Sequence, residues 1–416
     1  MENRRLEEFN HWWIKGRVDP DLALQFKRDI YKEIEKHLRK RFIISLVGLR
    51  RIGKTTIIYQ VIEHLLRENT PPVNILFFSF DDISAGLSEV LETYKEIQNK
   101  DFRSEKTYVF LDEIQKCNNW ENELKKYYDL YPKIKFMISG SESLFIRKKT
   151  SETLAGRIFH FHLEPFSFKE YLRLSKIEDT KYETRIKPLF IKYVERGGFP
   201  ETFDIESDKD YKQYISTLVV DKIIYKDIPK LFKIEDPQFL TVLLELIAAN
   251  PGMYIDYQSL SRQFDKDRRV IKDYISFLKE SFLIRVLGNY RTGNITTLRK
   301  KKRAYPSDNA IITLYKTSID SAFFGRMVET LAINHLKATS FYKNRNEVDI
   351  IHNHLPIEIK YQETISKEDL KPLREFMRNF NQKEALLITK KDEREIRSDE
   401  GTITLIPAWK WIIKQN

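Results

Sequence analysis

The chain has 416 residues, more than one hydrophobic core organises, and domains of roughly 100–150 residues suggest about three. Its 41% hydrophobic and 13% aromatic content excludes a disordered polymer, and a single cysteine, Cys117, excludes an internal disulfide and a paired-cysteine zinc site. A net charge of +11, with 32% charged residues, favours a polyanionic partner, nucleic acid ahead of an anionic membrane surface.

The start, MENRRLEEFNHWW, has charges but no apolar core of a signal peptide. The best apolar run, LTVLLELIAA at 240–249, is interrupted by Glu245 and is too short to span a bilayer. With the lone cysteine, this predicts a protein of the reducing cytoplasm with no membrane partner.

Residues 1–40 read as charged helix. FIISLVG, VNILFFSF, YVFLDE and IKFMISG then follow as short, nearly continuous apolar runs with helix-like segments between them. That pattern predicts an α/β unit with a parallel sheet covered on both faces. Between the first strand and the helical TTIIYQVIEHLL lies GLRRIGKTT, Gly48 to Thr56, matching G-x-x-x-x-G-K-[ST]. In that spacing Gly48, Arg51, Ile52, Gly53, Lys54, Thr55 and Thr56 form a loop whose backbone N–H groups cradle phosphate oxygens at a helix N-terminus. Lys54 is expected to reach the β/γ-phosphates of ATP, and Thr55 to ligate Mg²⁺. VFLDE supplies Asp112 as a second Mg²⁺ partner and Glu113 as the group that polarises an attacking water. Ser139 or Ser141, at the polar end of IKFMISGS, is placed to sense the γ-phosphate. Arg157 in LAGR, with Arg147 behind it, is the candidate arginine that completes the site. The layout resembles the AAA-type branch of P-loop ATPases.

From Glu164 to Asp236 the pattern turns helical, broken by the GGFP turn at 197–200. DYQSLSRQF and DRRVIKDYISFLKESF predict two helices capped by Asp256 and Asp267, and FLIRVLGNYRTGN a strand and a wing. Val270, Ile271, Tyr274, Ile275 and Leu278 form the apolar stripe of the second helix. Arg268, Arg269 and Lys272 lie on its other side, as in the recognition helix of a helix-turn-helix. Arg299, Lys300, Lys301, Lys302 and Arg303 form a basic run suited to phosphate contacts.

In the last segment, VDII and PIEIK predict a hairpin across His352-Asn353-His354, which read as turn residues. Strand alternation puts Glu358 and Lys360 on one face, with Ile357 and Ile359 on the other; Asp349 opposes Val348 and Ile350. Asp349 and Glu358 then hold a divalent cation, Lys360 helps activate a water or hydroxide, and Glu329 on the preceding helix offers another carboxylate.

G-x-R-R-x-G-K-T-T, F-L-D-E-I-Q, S-G-S, L-A-G-R, E-P-F-S-F-K-E-Y and the Y-x-x-x-G-G-F-P-E of Tyr193 to Glu201 stand in order before E-V-D…P-I-E-I-K. Together they resemble the prokaryotic, especially archaeal, AAA-type ATPases with a C-terminal restriction-endonuclease-like domain of unknown function. The resemblance spans about residues 25–416. It implies ATP hydrolysis with ATP and Mg²⁺, suggests DNA, branched or structured forms included, and is compatible with a homo-oligomer. Some relatives lack nuclease residues, whereas Glu329, Asp349, Glu358 and Lys360 all stand here; the usual proline before the aspartate is Val348. The expected α/β organisation is a P-loop ATPase core with its N-terminal arm (1–165), a helical lid (166–236), a winged helix (237–306) and a restriction-endonuclease-like α/β domain (307–416).

Overall fold

The apolar runs of the first half become strands with both faces covered. β1 (Ile43–Val47), β3 (Thr107–Asp112) and β4 (Ile134–Gly140) are buried at every residue, and β2 (Ile75–Ser79) at all but Ser79. The edge strand β5 (Ile158–His162) turns Phe159 and His160 to solvent. In the computed structural model, residues 3–81, 85–140, 153–177, 183–232, 234–290 and 301–414 are described. The chain divides into two compact units, Met1–Glu164 and Pro165–Asn416.

In the first unit all five strands pair in parallel, in the order β2-β3-β4-β1-β5. Helices α1 (Asn3–Phe9), α2 (Trp12–Lys15), α3 (Ile30–Leu38), α4 (Lys54–Arg67), α5 (Leu87–Ile97) and α6 (Trp120–Leu130) accompany it. VNILFFSF, which separates the two nucleotide motifs in sequence, lies at the sheet edge. In space β4 separates them, so the ends of β1, β4 and β3 stand side by side.

The N-terminal arm closes the open edge of β2. The Asn10 side chain imitates a neighbouring peptide: Phe77 N–H donates to Oδ1 at 2.6 Å, and Nδ2 donates to the Phe77 carbonyl at 2.8 Å. Trp12 and Trp13 each donate an indole N–H to the Ile75 carbonyl, at 3.2 and 2.8 Å. An edge strand's unpaired groups are thereby satisfied without a sixth strand.

In the second unit, α7 (Phe168–Leu174), α8 (Glu183–Arg196) and α9 (Asp208–Gln213) lead through π-helical turns to α10 (Ile228–Leu231) and α11 (Pro237–Ala249). Next come β6 (Met253–Ile255), α12 (Tyr257–Phe264), α13 (Arg268–Glu280), β7 (Ile284–Asn289) and β8 (Lys302–Pro306). The remainder is α14 (Asn309–Tyr315), α15 (Ser321–His335), β9 (Ser340–Lys343), β10 (Glu347–Val348), β11 (Ile350–His352), β12 (Leu355–Lys360), α16 (Lys371–Phe380), β13 (Glu384–Thr389), β14 (Arg394–Ser398), β15 (Gly401–Pro407) and α17 (Ala408–Lys414). Two mixed sheets form, β10-β9-β7-β8-β6 and β11-β12-β13-β15-β14. One buried cluster draws on Phe168, Phe190, Leu287, Tyr305, Met327, Ile357 and Trp409, so helical and mixed-sheet segments share a core.

The GGFP turn is a docking point for Asp308. Gly197, at φ +70°, has no room for a side chain, since a Cβ would fall 1.8 Å from Asp308 Oδ1. Gly198 N–H donates to Asp308 Oδ2 at 3.1 Å.

Replacing Asn10 by Ala strands two buried peptide groups of β2, a loss of about 1–3 kcal/mol. Hydrogen exchange across β2 is expected to accelerate accordingly; exchange at Phe77 equal to wild type would contradict the edge-sealing role.

Candidate functional site

The glycine loop sits where β1 ends and α4 begins. At Gly48, φ +157°, a Cβ would approach Leu163 O to 2.3 Å and Ile52 Cδ1 to 2.6 Å, so the loop closes only around a glycine. Gly53, at φ +91°, makes the turn into α4. Arg51, with φ +61°, is exposed, while Ile52 is fully buried beneath the loop. Lys54 Nζ folds back over it, donating to Leu49 O at 2.7 Å and Gly48 O at 3.1 Å. Thr56 is half-buried in the first turn of α4.

Asp112 joins two strand ends to the start of a helix. Thr55 Oγ1 donates to its Oδ2 at 2.9 Å, and Ser139 Oγ donates to its Oδ1. Burial, and then the Glu113 charge, push this carboxyl above the ordinary carboxylate range; the Ser139 and Thr55 hydrogen bonds and the Lys54 ammonium oppose them. Oxygen donors of this kind suit Mg²⁺. Glu113 follows at φ +52°, in the left-handed region that a residue with a side chain seldom occupies, and its Oε2 accepts from Gln115 Nε2 at 2.7 Å.

Arg28 supports the loop, and nothing in its local sequence marks it. Its buried guanidinium donates to Ile52 O at 2.9 Å and Glu164 O at 2.8 Å, tying the loop to the chain that leaves β5.

Arg157 does not join this site. It precedes β5, and its carbonyl accepts from Ile43 N–H at 2.8 Å, at the beginning of β1 rather than its end. Five extended residues, about 16 Å, separate the two ends of β1. Its guanidinium pairs with Asp129 at 3.0 and 3.3 Å. Ser141 and Arg147 lie outside the described residues. Cys117 is buried, and burial pushes its thiol up to about 11.

In the second unit, β10 and β11 belong to different sheets, and Asp349 is the single residue between them. The chain bends there, so Val348 and Ile350 enter different hydrophobic clusters rather than one shared face. Ile350 to His352 pairs antiparallel with Leu355 to Ile357. Asn353 and His354, at φ +49° and +67°, form the tip, and His354 Nδ1 hydrogen-bonds Tyr290 OH at 2.8 Å.

The bend knits two carboxylates together. Asp349 N–H donates to Glu358 Oε2 at 3.2 Å, Ile359 N–H donates to Asp349 Oδ2 at 3.0 Å, and Lys360 Nζ donates to Glu358 Oε1 at 2.6 Å. Ile357 and Ile359 enter the core on the opposite face. Burial, then the Asp349 charge, hold the Glu358 carboxyl well above its ordinary range, against the pull of Lys360. Burial disfavours the Lys360 charge, but Glu358 and Asp349 outweigh it and raise its pKa. Glu329, on α15, accepts from Tyr305 OH at 2.6 Å and Arg303 Nη2 at 2.9 Å. Burial and then Asp349 push it up to about 7. Among the described residues no three His, Cys, Asp or Glu side chains stand together as a ready metal-binding group. The donors that fit a hard cation are the Asp349–Glu358 pair.

Arg303 requires a correction. It is not part of an exposed basic run: it is 8% exposed, and it pairs with Glu329, with Glu347 at 3.0 Å and with Asp349 at 3.4 Å. Strand alternation along β8 carries Arg303 and Tyr305 inward together. Lys301 is exposed and Lys302 half-buried; Arg299 and Lys300 lie outside the described residues. Arg268, Arg269 and Lys272 are exposed on the first turns of α13, whose Ile271, Tyr274, Ile275 and Leu278 are buried. Asp267 caps this helix by accepting from Arg269 N–H at 2.7 Å.

Three segments of the chain match known families. Residues 40–172 match the AAA domain family. Residues 187–321 match a domain of unknown function (DUF8612), and 324–411 another (DUF4143). The glycine loop, the five-stranded parallel sheet and the AAA match define a P-loop ATPase-type α/β domain, followed by helical and mixed-sheet regions. The chain is similar to the uncharacterized protein MJ1544 of Methanocaldococcus jannaschii, 27% identical over 92% of this chain and 90% of that protein. It is 26% identical to MJ1637, another uncharacterized protein of that organism, over 75% of this chain and 72% of that one. Among solved structures it is similar to the ADP form of the Aeropyrum pernix ORC2 protein, 13% identical over 78% of this chain and 97% of that one. Their TM-score, 0.37, is too low to equate the two folds. Among the described residues no helix is long and apolar enough to cross a membrane.

Proposed function

We propose that the chain is a Mg²⁺-dependent ATPase that engages DNA and carries a restriction-endonuclease-like domain. The observation behind the first part is the Asp112 carboxylate held between Thr55 and Ser139 beside the glycine loop. In this reading the loop N–H groups and Lys54 bind the β- and γ-phosphates, and Ser139 senses the γ-phosphate. Thr55 and Asp112 hold Mg²⁺, which when bound neutralises charge developing on the phosphate oxygens. Glu113 takes a proton from the water that attacks γ-phosphorus; the bond from γ-phosphorus to the β–γ bridging oxygen breaks, leaving ADP and phosphate. Since Arg157 stands at the other end of β1, any part it plays at phosphates is played in a second copy's site. Self-association enters the reading in that way.

Lys54→Ala is expected to abolish turnover and weaken ATP binding. Glu113→Gln should keep ATP bound while lowering kcat by about 10²–10⁴-fold. Unchanged turnover in both variants would falsify the site.

For DNA, the supporting features are the net charge and the exposed Arg268, Arg269 and Lys272 on a helix that follows α12 and precedes the β7–β8 strands, the order of a winged helix. Lys301, Lys302, Arg299 and Lys300 extend the basic character in sequence. For the last domain, support comes from Asp349, Glu358 and Lys360 converging at a sheet bend. A divalent cation held by the two carboxylates supplies charge stabilisation at a scissile phosphate, while Lys360 steadies the attacking water or hydroxide.

Purified chain with Mg²⁺ or Mn²⁺ is expected to cut at least one of linear, supercoiled, single-stranded and branched DNA, and Lys360→Ala to stop it. Survival of every form removes the nuclease assignment. One observation favours a second reading, a nucleotide-switched DNA- or protein-binding regulator without cleavage: the Arg303 guanidinium already neutralises part of the carboxylate cluster. ATP-dependent oligomerisation without DNA-stimulated hydrolysis is its signature.

A further inference from the structure

Arg303 is built into the carboxylate cluster with unusual completeness. Its Nε donates to Gly252 O at 2.8 Å. Nη2 reaches Glu329 Oε1 at 2.9 Å, and Nη1 reaches Glu347 Oε1 at 3.0 Å and Asp349 Oδ1 at 3.4 Å. A guanidinium has five N–H donors; Gly252, Glu329 and Asp349 accept hydrogen bonds from three of them, and Glu347 adds an ion pair. The seat is shaped for it: a Cβ on Gly252 would stand 2.5 Å from Nη2 and 3.0 Å from the Tyr305 ring.

The partners divide into two sets. Glu329 Oε1 takes both Arg303 and Tyr305 OH, at 2.9 and 2.6 Å. Glu347 gives Oε1 to Arg303 and Oε2 to Tyr254 OH at 2.5 Å, with Lys343 at 3.3 Å. These two carboxylates are ligands of an organic cation. Asp349 Oδ1 takes the longest Arg303 contact, at 3.4 Å, while Asp349 Oδ2 and both Glu358 oxygens are held by backbone N–H groups and Lys360, one bond to an oxygen, with lone pairs remaining.

We infer that Arg303 is the resident cation of the cluster: it keeps Glu329 and Glu347 as its own partners and so restricts the Asp349–Glu358 pair to a single divalent ion. The inference rests on reading that pair as a cation site. Arg303 is a positioning residue here. It sets how many metal ions the carboxylates accept, and its rigidly engaged donors are not offered to phosphate.

The test is Mn²⁺ titration of the full chain without nucleotide, in a Thr55→Ala background that weakens the glycine-loop site, with bound ions counted by electron paramagnetic resonance. The parent should bind one ion in this cluster, lost in Asp349→Asn. Arg303→Met, its fold checked by circular dichroism, should bind a second ion and show the broadened signal of two coupled Mn²⁺, while Arg303→Lys should return to one. A folded Arg303→Met that still binds one ion overturns the proposal and leaves the cation pair standing. A parent with no Asp349-dependent ion overturns both. Glu347→Gln decides independently of how Arg303→Met folds. It should leave Mn²⁺ affinity unchanged; a loss of about tenfold or more, the size expected on removing a ligand or its direct support, makes Glu347 a metal ligand and overturns the proposal.

Discussion

The first unit turns on one buried carboxylate. A charge such as Asp112 taken out of water costs several kcal/mol unless partners replace its hydration. Here Thr55 and Ser139 replace it from two other segments, one at the start of α4 and one at the end of β4. That arrangement exists only because β4 lies between β1 and β3, so strand order, loop position and polar satisfaction are the same constraint seen at three scales. Gly48 and Arg28 serve it indirectly. The glycine lets the chain near Leu163 pass against the loop, and Arg28 ties the carbonyl of Ile52 to that of Glu164.

The second unit solves the matching problem differently. Its carboxylates are too many to bury alone, and they are compensated from within, by Arg303, Lys360, Tyr305 and Tyr254. The bend at Asp349 makes this possible. By sending Val348 and Ile350 into different clusters, it frees the aspartate to exchange hydrogen bonds with Glu358 and Ile359 instead of continuing a strand. The site is thus assembled from the junction of two sheets.

What could be read in the amino-acid order was what depends on short-range periodicity. Continuous apolar runs announced the parallel sheet, and the loop between FIISLV and TTIIYQV announced a phosphate cradle. The helix caps Asp256 and Asp267 were likewise local. Alternation along PIEIK put Glu358 and Lys360 together. The same alternation, applied to RKKKR, would have turned Arg303 inward with Tyr305. A dense run of like charge looks solvated, and that impression hid the strand. Asn10 and Arg28 carry no local signal at all. Asn10 meets Phe77 across 67 positions, and Arg28 meets Glu164 across 136, so their roles become visible only once the sheet is closed. Glu347 was overlooked for a related reason: its significance comes from Arg303 and Tyr254, not from its neighbours in VDII.

Asp112 is therefore the most direct place to test the account. Calorimetric titration of ATP with and without Mg²⁺, on the wild type and on Asp112→Asn, isolates the metal's contribution to binding. Mg²⁺ is expected to tighten ATP binding to the wild type by tenfold or more, about 1.4 kcal/mol, and Asp112→Asn to remove this gain. Equal ATP affinity with and without Mg²⁺ in the wild type, or an undiminished gain in Asp112→Asn, would contradict it.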